Sequence, residues 1–229
     1  MPMQFDNRSI MVNATPISAL SQPAARPRLS YRDHAKRALD ILLVVLAAPV
    51  VLPVVLFFAA LVALEGGQPF YSQQRVGRGG RSFRMWKLRS MVRDADARLE
   101  AHLAADPEAR AEWDRDQKLR HDPRITRVGA LIRKTSLDEL PQLWNVLMGD
   151  MSLVGPRPMM PSQRSLYPGH AYFRLRPGLT GPWQVSDRNA TTFAARADFD
   201  MAYDAALSLF EDLRIIVATF GVVVRATGR

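Results

Sequence analysis

From Ile41 to Leu64 the chain runs for 24 residues without one charged or hydrogen-bonding side chain. As a helix this block would extend about 36 Å, enough to cross a hydrocarbon core of about 30 Å. A helix apolar on every side belongs in lipid or deep inside a large protein, so the block is expected to enter a membrane. Elsewhere the periods are shorter. Residues 70–76 and 82–88 flank Gly77-Arg78-Gly79-Gly80-Arg81, which predicts a β-hairpin with a tip rich in glycine and arginine. From Asp94 to about Gln117 the chain is rich in Ala, Glu and Arg, with Leu99 and Leu103 at helical spacing; surface helices broken near Asp106-Pro107 are expected. Leu140, Leu143, Trp144, Leu147 and Met148 recur as one helix face, and Gly149 stops it. Leu207, Phe210, Leu213, Ile216, Val217, Phe220, Val223 and Val224 form a longer stripe, from which Asp204, Glu211, Asp212 and Arg214 should face away. That last helix either packs on the core or lies in a membrane interface. Residues 1–30 show no apolar period and lack the apolar core of a signal peptide, so they read as a flexible tail.

Entering a membrane is not the same as crossing it. Arg26, Arg28, Arg32, Lys36 and Arg37 precede the block; Arg75, Arg78, Arg81, Arg84, Lys87, Arg89 and Arg93 follow it. Lys and Arg mark cytoplasmic flanks, and equal positive ends fit poorly with one end outside. Pro49 and Pro53 each remove a backbone donor mid-run and predict a kink. A helix that enters and leaves the same leaflet satisfies both observations. An ordinary single-pass anchor with proline kinks is the alternative.

Charge narrows the partners. Lys and Arg total 31 against 22 Asp and Glu, a formal +9, which favours anionic ligands or surfaces. No cysteine is present, which excludes disulfides and thiolate metal sites. His34, His102, His121 and His170 have no zinc-ligand spacing.

Three clusters carry candidate chemistry. In Arg133-Lys134-Thr135-Ser136-Leu137-Asp138-Glu139-Leu140-Pro141, Ser136 and Glu139 have the spacing of a capping box, although Pro141 would then remove a hydrogen bond inside the helix and predicts irregular geometry. The other reading is a phosphate and metal centre of two adjacent carboxylates. A carboxylate can attack a phosphoryl group, and nearby cations would lower its pKa. In Gly155-Pro156-Arg157-Pro158, flanking prolines hold an arginine on stiff backbone, suited to bidentate phosphate contact. Arg174 to Asn189 is dense in Gly, Pro and Arg around Trp183 and has the make-up of a binding loop, with Trp183 either stacking on a ring or packing inside.

Read together, these segments resemble the bacterial sugar transferase family, the monotopic phosphoglycosyl transferases. The matching residues are Lys36-Arg37-x-x-Asp40, Gln74-Arg75-Val76-Gly77, Lys87-Leu88-Arg89-Ser90-Met91, Ser136 to Gln142, Asn145-Val146-Leu147-x-Gly149-Asp150-Met151-Ser152, Gly155 to Pro158, and Arg176-Pro177-Gly178-x-Thr180-Gly181. The resemblance implies a mostly α fold with a small β-hairpin. Its parts would be a tail (1–30), a re-entrant membrane helix (31–66) broken at Leu52-Pro53, and a compact cytoplasmic α+β domain (67–229) with interfacial amphipathic helices. It implies Asp138 as nucleophile, Glu139 as its partner, both as Mg²⁺ ligands, and Arg133, Arg157, Arg188 and Lys87 as substrate-binding cations. The donor would be a UDP-sugar, UDP-galactose or UDP-glucose, and the acceptor a polyprenyl phosphate in the bacterial inner membrane; a homodimer is allowed and no nucleic acid is expected. Pro182 and Asp187 depart from the usual pattern in the presumed donor loop. A basic, membrane-anchored binding module without catalysis is the competing class; the adjacent acids argue against it.

Overall fold

The structure is a computed structural model of the chain and describes residues 31–116, 119–186 and 192–224. The expected tail (1–30) and Arg188 lie outside the described residues. After a π-helical turn at Tyr31–Ala35, helix α1 runs from Lys36 to Leu64 and continues through Pro49 and Pro53. The break expected at Leu52-Pro53 is therefore not an interruption of the helix; the hydrogen-bonded turns on either side carry it across the missing donors. It is the one helix among the described residues long and apolar enough to cross a membrane.

Both ends of α1 are fastened to the same body. At its start, Lys36 Nζ donates to Asp212 at 2.6 Å, Arg37 donates to the carbonyls of Val146 and Leu147, and Asp40 accepts from Ser152 Oγ (2.7 Å) and the Leu153 amide (3.0 Å). The Lys-Arg-x-x-Asp motif is thus a staple. At its end, Val55, Ala59 and Val62 pack with Leu88 and Ile132. Between these anchors Leu42, Val45, Leu46, Val50, Leu56 and Phe57 lie exposed.

The predicted hairpin is present. Strand β1 (Phe70–Val76) pairs antiparallel with β2 (Ser82–Leu88), Phe70 opposite Leu88 and Val76 opposite Ser82. The tip turns through Gly79 (φ 70°) and Gly80 (φ 79°), which only glycine adopts without strain. Alternate β2 residues Phe83 and Met85 point inward and meet Val44, Val146 and Met151. Helices α2 (Ala95–Ala105) and α3 (Pro107–Asp116) break where expected: Asp106 Oδ1 accepts the Glu108 and Ala109 amides at 2.9 and 3.1 Å, so it caps the second helix. Thr126 caps α4 (Arg127–Lys134) by accepting the Gly129 amide at 2.9 Å. Helix α5 (Gln142–Met148) ends at Gly149 with φ 88°, as its sequence predicts.

A second, parallel pair, β3 (Ser152–Val154) with β4 (Gly178–Thr180), has no counterpart in the sequence reading. Three-residue strands carry too little period to detect. This pair joins the Gly155-Pro156 and Pro177-Gly178 loops so tightly that a Cβ on Gly155 would sit 2.3 Å from the Arg176 carbonyl. Short helices α6 (Ala171–Arg174) and α7 (Pro182–Val185) follow, then α8 (Arg196–Ala206) and α9 (Leu209–Val224).

On α9 the predicted faces are partly inverted. Asp212 is buried, with Ile215 beside it, whereas Phe210 (77% exposed), Val217 and Phe220 face outward. Asp212 turns inward because three donors meet it there: Tyr31 Oη, Lys36 Nζ and Tyr203 Oη. The packing reading of this helix therefore holds for one face, while an apolar face stays exposed. The fold is mostly helical, with a small hairpin and one long apolar helix.

Candidate active site

The acid pair sits on a turn that the sequence misassigns. Leu137–Glu139 is a single 3-10 turn between α4 and α5, and Ser136, which precedes it, is left-handed (φ 57°, ψ 20°). It is the one non-glycine residue with positive φ among the described residues. Its side chain makes no cap hydrogen bond, so the expected capping box does not form. Pro141 instead stands at the N-cap position of a new helix, where its missing N–H costs no bond within it. A serine held in this conformation costs about 1 kcal/mol or more, and such strain concentrates at functional sites.

Lys87, at the end of β2, reaches both acids: Nζ donates to Glu139 Oε1 at 2.8 Å and to Asp138 Oδ2 at 3.3 Å. Asn145 fixes this meeting. Buried in α5, it accepts the Trp86 amide (3.0 Å) and donates to the Arg84 carbonyl (2.8 Å), clamping α5, and so the turn before it, to β2. The side chains of Lys87 and Asp138 are each 16% exposed and that of Glu139 30%.

Burial pushes the Asp138 carboxyl above its ordinary range; Lys87 pulls it down, the Glu139 charge pushes it up, and Arg133 draws it down more weakly. The expectation that neighbouring cations lower this pKa is thus reversed, because desolvation outweighs them. Burial also opposes the Lys87 charge, but Glu139 and Asp138 together outweigh it and raise that pKa. The two directions are compatible: the shorter contact is Lys87–Glu139, which forms the ion pair, while Asp138 lies deeper and feels desolvation and a second carboxylate.

A row of arginines leads away from the acids. Arg75 on β1 is pushed below the ordinary arginine range by burial and by Arg157, while the Glu139 charge partly offsets this. The Arg157 guanidinium lies 5.6 Å from the Trp183 ring centroid and Arg196 lies 4.2 Å from it, so Trp183 is buried against two cations. Burial and Arg157 likewise lower the Arg196 pKa. Arg75 Nε, Arg196 Nε and Gln184 Oε1 are buried without a hydrogen-bond partner. Buried donors in like-charged company are costly unless an anion completes them. The structure therefore brings Lys87, Asp138 and Glu139 together, keeps Arg133 within electrostatic range, and places Arg157 in the row beyond. Arg75, Arg196 and Gln184 are additions to the sequence-derived set. Arg75 stands in the Gln-Arg-Val-Gly motif and was legible there; nothing local marks Arg196 or Gln184.

Two adjacent carboxylates already converge on one positive centre, and no group of three acids or histidines that could hold a metal occurs among the described residues. A hard dication that binds through one or two carboxylates plus substrate phosphates fits this donor set.

Fold and site together define a class: an apolar helix stapled at both ends to a mostly helical body that presents an acid pair beside an arginine row. The family model described as bacterial sugar transferase matches residues 31–226. The chain belongs to that family. It is 48% identical over 195 residues to the UDP-galactose-lipid carrier transferase of Erwinia amylovora, and 46% identical over 195 residues to the undecaprenyl-phosphate galactose phosphotransferase of Salmonella typhimurium. Each match covers 84% of this chain and 41% of the relative, so the chain spans about two fifths of those proteins' length. It is also 45% identical over 197 residues to the exopolysaccharide production protein ExoY of Rhizobium meliloti, covering 85% of this chain and 87% of that one.

Proposed function

We propose that the chain is a phosphoglycosyl transferase that moves a hexose-1-phosphate from a UDP-sugar to undecaprenyl phosphate, releasing UMP, as the first membrane step of exopolysaccharide assembly. The observation that carries this reading is Asp138 beside Glu139 and Lys87 on a strained turn. In the first step an Asp138 carboxylate oxygen attacks the donor's β-phosphorus. The bond from that phosphorus to the bridging oxygen breaks, and UMP leaves with the oxygen and its electron pair. In the second step a phosphate oxygen of the acceptor attacks the same phosphorus and expels the Asp138 carboxylate, which leaves the sugar on a polyprenyl diphosphate. Lys87 and Arg133 hold the anionic centre. Arg75, Arg157 and Arg196 take the donor diphosphate, and Trp183 with Gln184 borders the nucleotide; Arg188 belongs to the same loop in sequence. Phosphoryl transfer depends chiefly on such positioning and charge neutralisation. Mg²⁺, held by Asp138 and Glu139, would supply further neutralisation of the donor phosphates.

The membrane reading is a helix, 31–66, that enters and leaves the cytoplasmic leaflet, with 67–229 on the cytoplasmic side. Its support is that both ends of a helix about 43 Å long pack on one body while its middle presents an apolar face. UDP-galactose and UDP-glucose are the donors to try first, since two relatives bear galactose in their names. The test is incubation of detergent-solubilised protein with each UDP-sugar, UMP detection, and mass spectrometry of the trapped protein. A sugar-phosphate adduct on the Asp138 peptide is expected; an adduct on another side chain, or turnover with none, defeats the mechanism.

A further inference from the structure

A cavity of about 1050 Å³ lies at the tip of the hairpin, and no step above uses it. Five arginines line it: Arg78 and Arg81 from the tip, Arg32 from the turn before α1, and Arg174 and Arg176 at and just after the end of α6. The cavity is separate from the acid site. Its tip residue Ser82 and Lys87 stand at opposite ends of β2, about 17 Å apart along the strand. Gly149 and Asp150, which also line it, follow α5 at the end remote from Glu139. The arginines assigned to the donor, Arg75, Arg157 and Arg196, are not among its lining residues.

The charges on this wall do not balance. Arg32 and Arg174 share a single acid, Asp204, and Asp150 accepts from Asn145 at 3.3 Å. No ion pair joins Arg78, Arg81 or Arg176 to an acid among the described residues. Arg176 donates to the Gly149 carbonyl at 2.9 Å, which leaves its charge in place. Burial and the nearby Arg78 and Arg37 charges push its guanidinium below the ordinary arginine range, so like charges are held together here at a cost. Five arginines against two aspartates leave the wall with a formal +3. A phosphate monoester carries about −1.5 to −2 near neutral pH, so a pair of phosphate groups matches this wall and a single one does not. Guanidinium groups suit such oxygens because each can donate two parallel bonds. The volume agrees, lying at the top of the range of about 300–1,000 Å³ that organic ligands fill. Leu42 and Phe210, both exposed and apolar, stand within ten residues of the lining residues Arg32 and Ala205, so the cavity lies close to the face read here as meeting lipid.

We propose that this cavity is a second anion-binding site, separate from the acid turn, which takes a ligand bearing two phosphate groups, either the head group of a two-phosphate lipid or a soluble diphosphate. The proposal does not depend on the transferase reading. Its test is calorimetric titration of the full chain in phosphatidylcholine nanodiscs with inorganic pyrophosphate, and with inorganic phosphate for comparison. Arg78→Gln and Arg81→Gln, singly and together, alter exposed positions. The control is Arg110→Gln with Arg120→Gln, which removes the same charge from exposed side chains on and after α3; thermal melts check that each variant is folded. Pyrophosphate held by the arginine row beside the acids is common to all of them. The double tip variant should weaken one class of pyrophosphate sites at least about tenfold, since each lost charge-assisted contact approaches that factor. The control should stay within about twofold, and phosphate should bind this class at least about tenfold more weakly than pyrophosphate. Nanodiscs containing cardiolipin separate the two sources. Loss of that class of sites, with cardiolipin retained on the protein in native mass spectrometry, identifies the lipid; persistence of the sites identifies the soluble ligand. Binding of pyrophosphate and cardiolipin that are both indifferent to the tip variant, or weakened equally by the control, overturns the proposal, and equal affinity for phosphate and pyrophosphate overturns the two-phosphate assignment.

Discussion

Two aspartates in this chain each face a lysine ammonium, and they are held in opposite ways. Asp212 is almost fully buried and accepts from Lys36 Nζ, Tyr31 Oη and Tyr203 Oη, so its lone pairs are occupied and its position fixed. Asp138 makes one long contact, 3.3 Å, with a lysine whose shorter bond goes to Glu139. It sits on a turn behind a left-handed serine. A carboxylate surrounded by donors is a structural tie and a poor nucleophile. One that is desolvated, loosely contacted and beside a cation can attack an electrophile it meets. The same pair of side-chain types is saturated with donors at one place and left open at the other, which is the difference the proposed chemistry needs.

Exchanging each acid for its amide should break the comparison cleanly. On the mechanism proposed above, Asp138→Asn should lower turnover roughly 10³-fold or more, with an unchanged or higher unfolding midpoint, because a raised carboxyl pKa means the fold already disfavours the anion. Asp212→Asn should do the reverse. Removing the charge leaves Lys36 buried beside two phenols and should destabilise by about 3–5 kcal/mol, read by denaturant titration, while the folded fraction keeps its activity per molecule. A smaller effect is expected from Lys87→Met: kcat/KM down about 10²-fold, with the acid limb of the rate profile moved to higher pH. The sign follows from burial, which raises the Asp138 pKa, and from Lys87, which lowers it; without Lys87 the carboxyl protonates at a still higher pH, and activity, which needs the anion, is lost sooner on acidification.

Asp200 lies between the two extremes, buried with one donor, Tyr167 Oη at 2.8 Å. Burial pushes its carboxyl up to about 6, against the Tyr167 bond and Arg196. A raised folded pKa gives stability that is full below the ordinary value near 3.8 and lost as pH rises through about 6. Asp200→Asn keeps an acceptor for Tyr167 and should stabilise by about 3 kcal/mol at most at pH 8, with little gain at pH 4, as thermal melts at the two pH values would show.

What the sequence revealed follows the range of the interactions. The hairpin, the helix stop at Gly149 and the break at Asp106 depend on neighbours within a few residues, and each was legible. The acid pair was legible as chemistry but not as geometry: Ser-x-x-Glu is a valid cap signature, and only the tertiary pull of Lys87, about fifty residues earlier, takes Glu139 away from that role. Asp212 was assigned outward because its chain neighbours Glu211 and Arg214 are polar, whereas its donors come from Tyr31, Lys36 and Tyr203. Arg75 and Arg196 lie on separate elements, and no local pattern reveals that both approach Arg157. Long-range convergence leaves no periodic trace.

The double attachment of α1 bears on how the protein can be handled. Its side chains supply part of two hydrophobic clusters, Val44 beside Phe83, Met85, Val146 and Met151, and Val55, Ala59 and Val62 beside Leu88 and Ile132. A truncated version starting at Gly67, made in the hope of a water-soluble fragment, would strip those clusters to bare apolar patches and lose the ties to Asp212, Ser152 and the α5 carbonyls. In this chain the long apolar helix is also a beam of the folded body, so a membrane that takes up its exposed face receives a helix already committed to the rest of the fold.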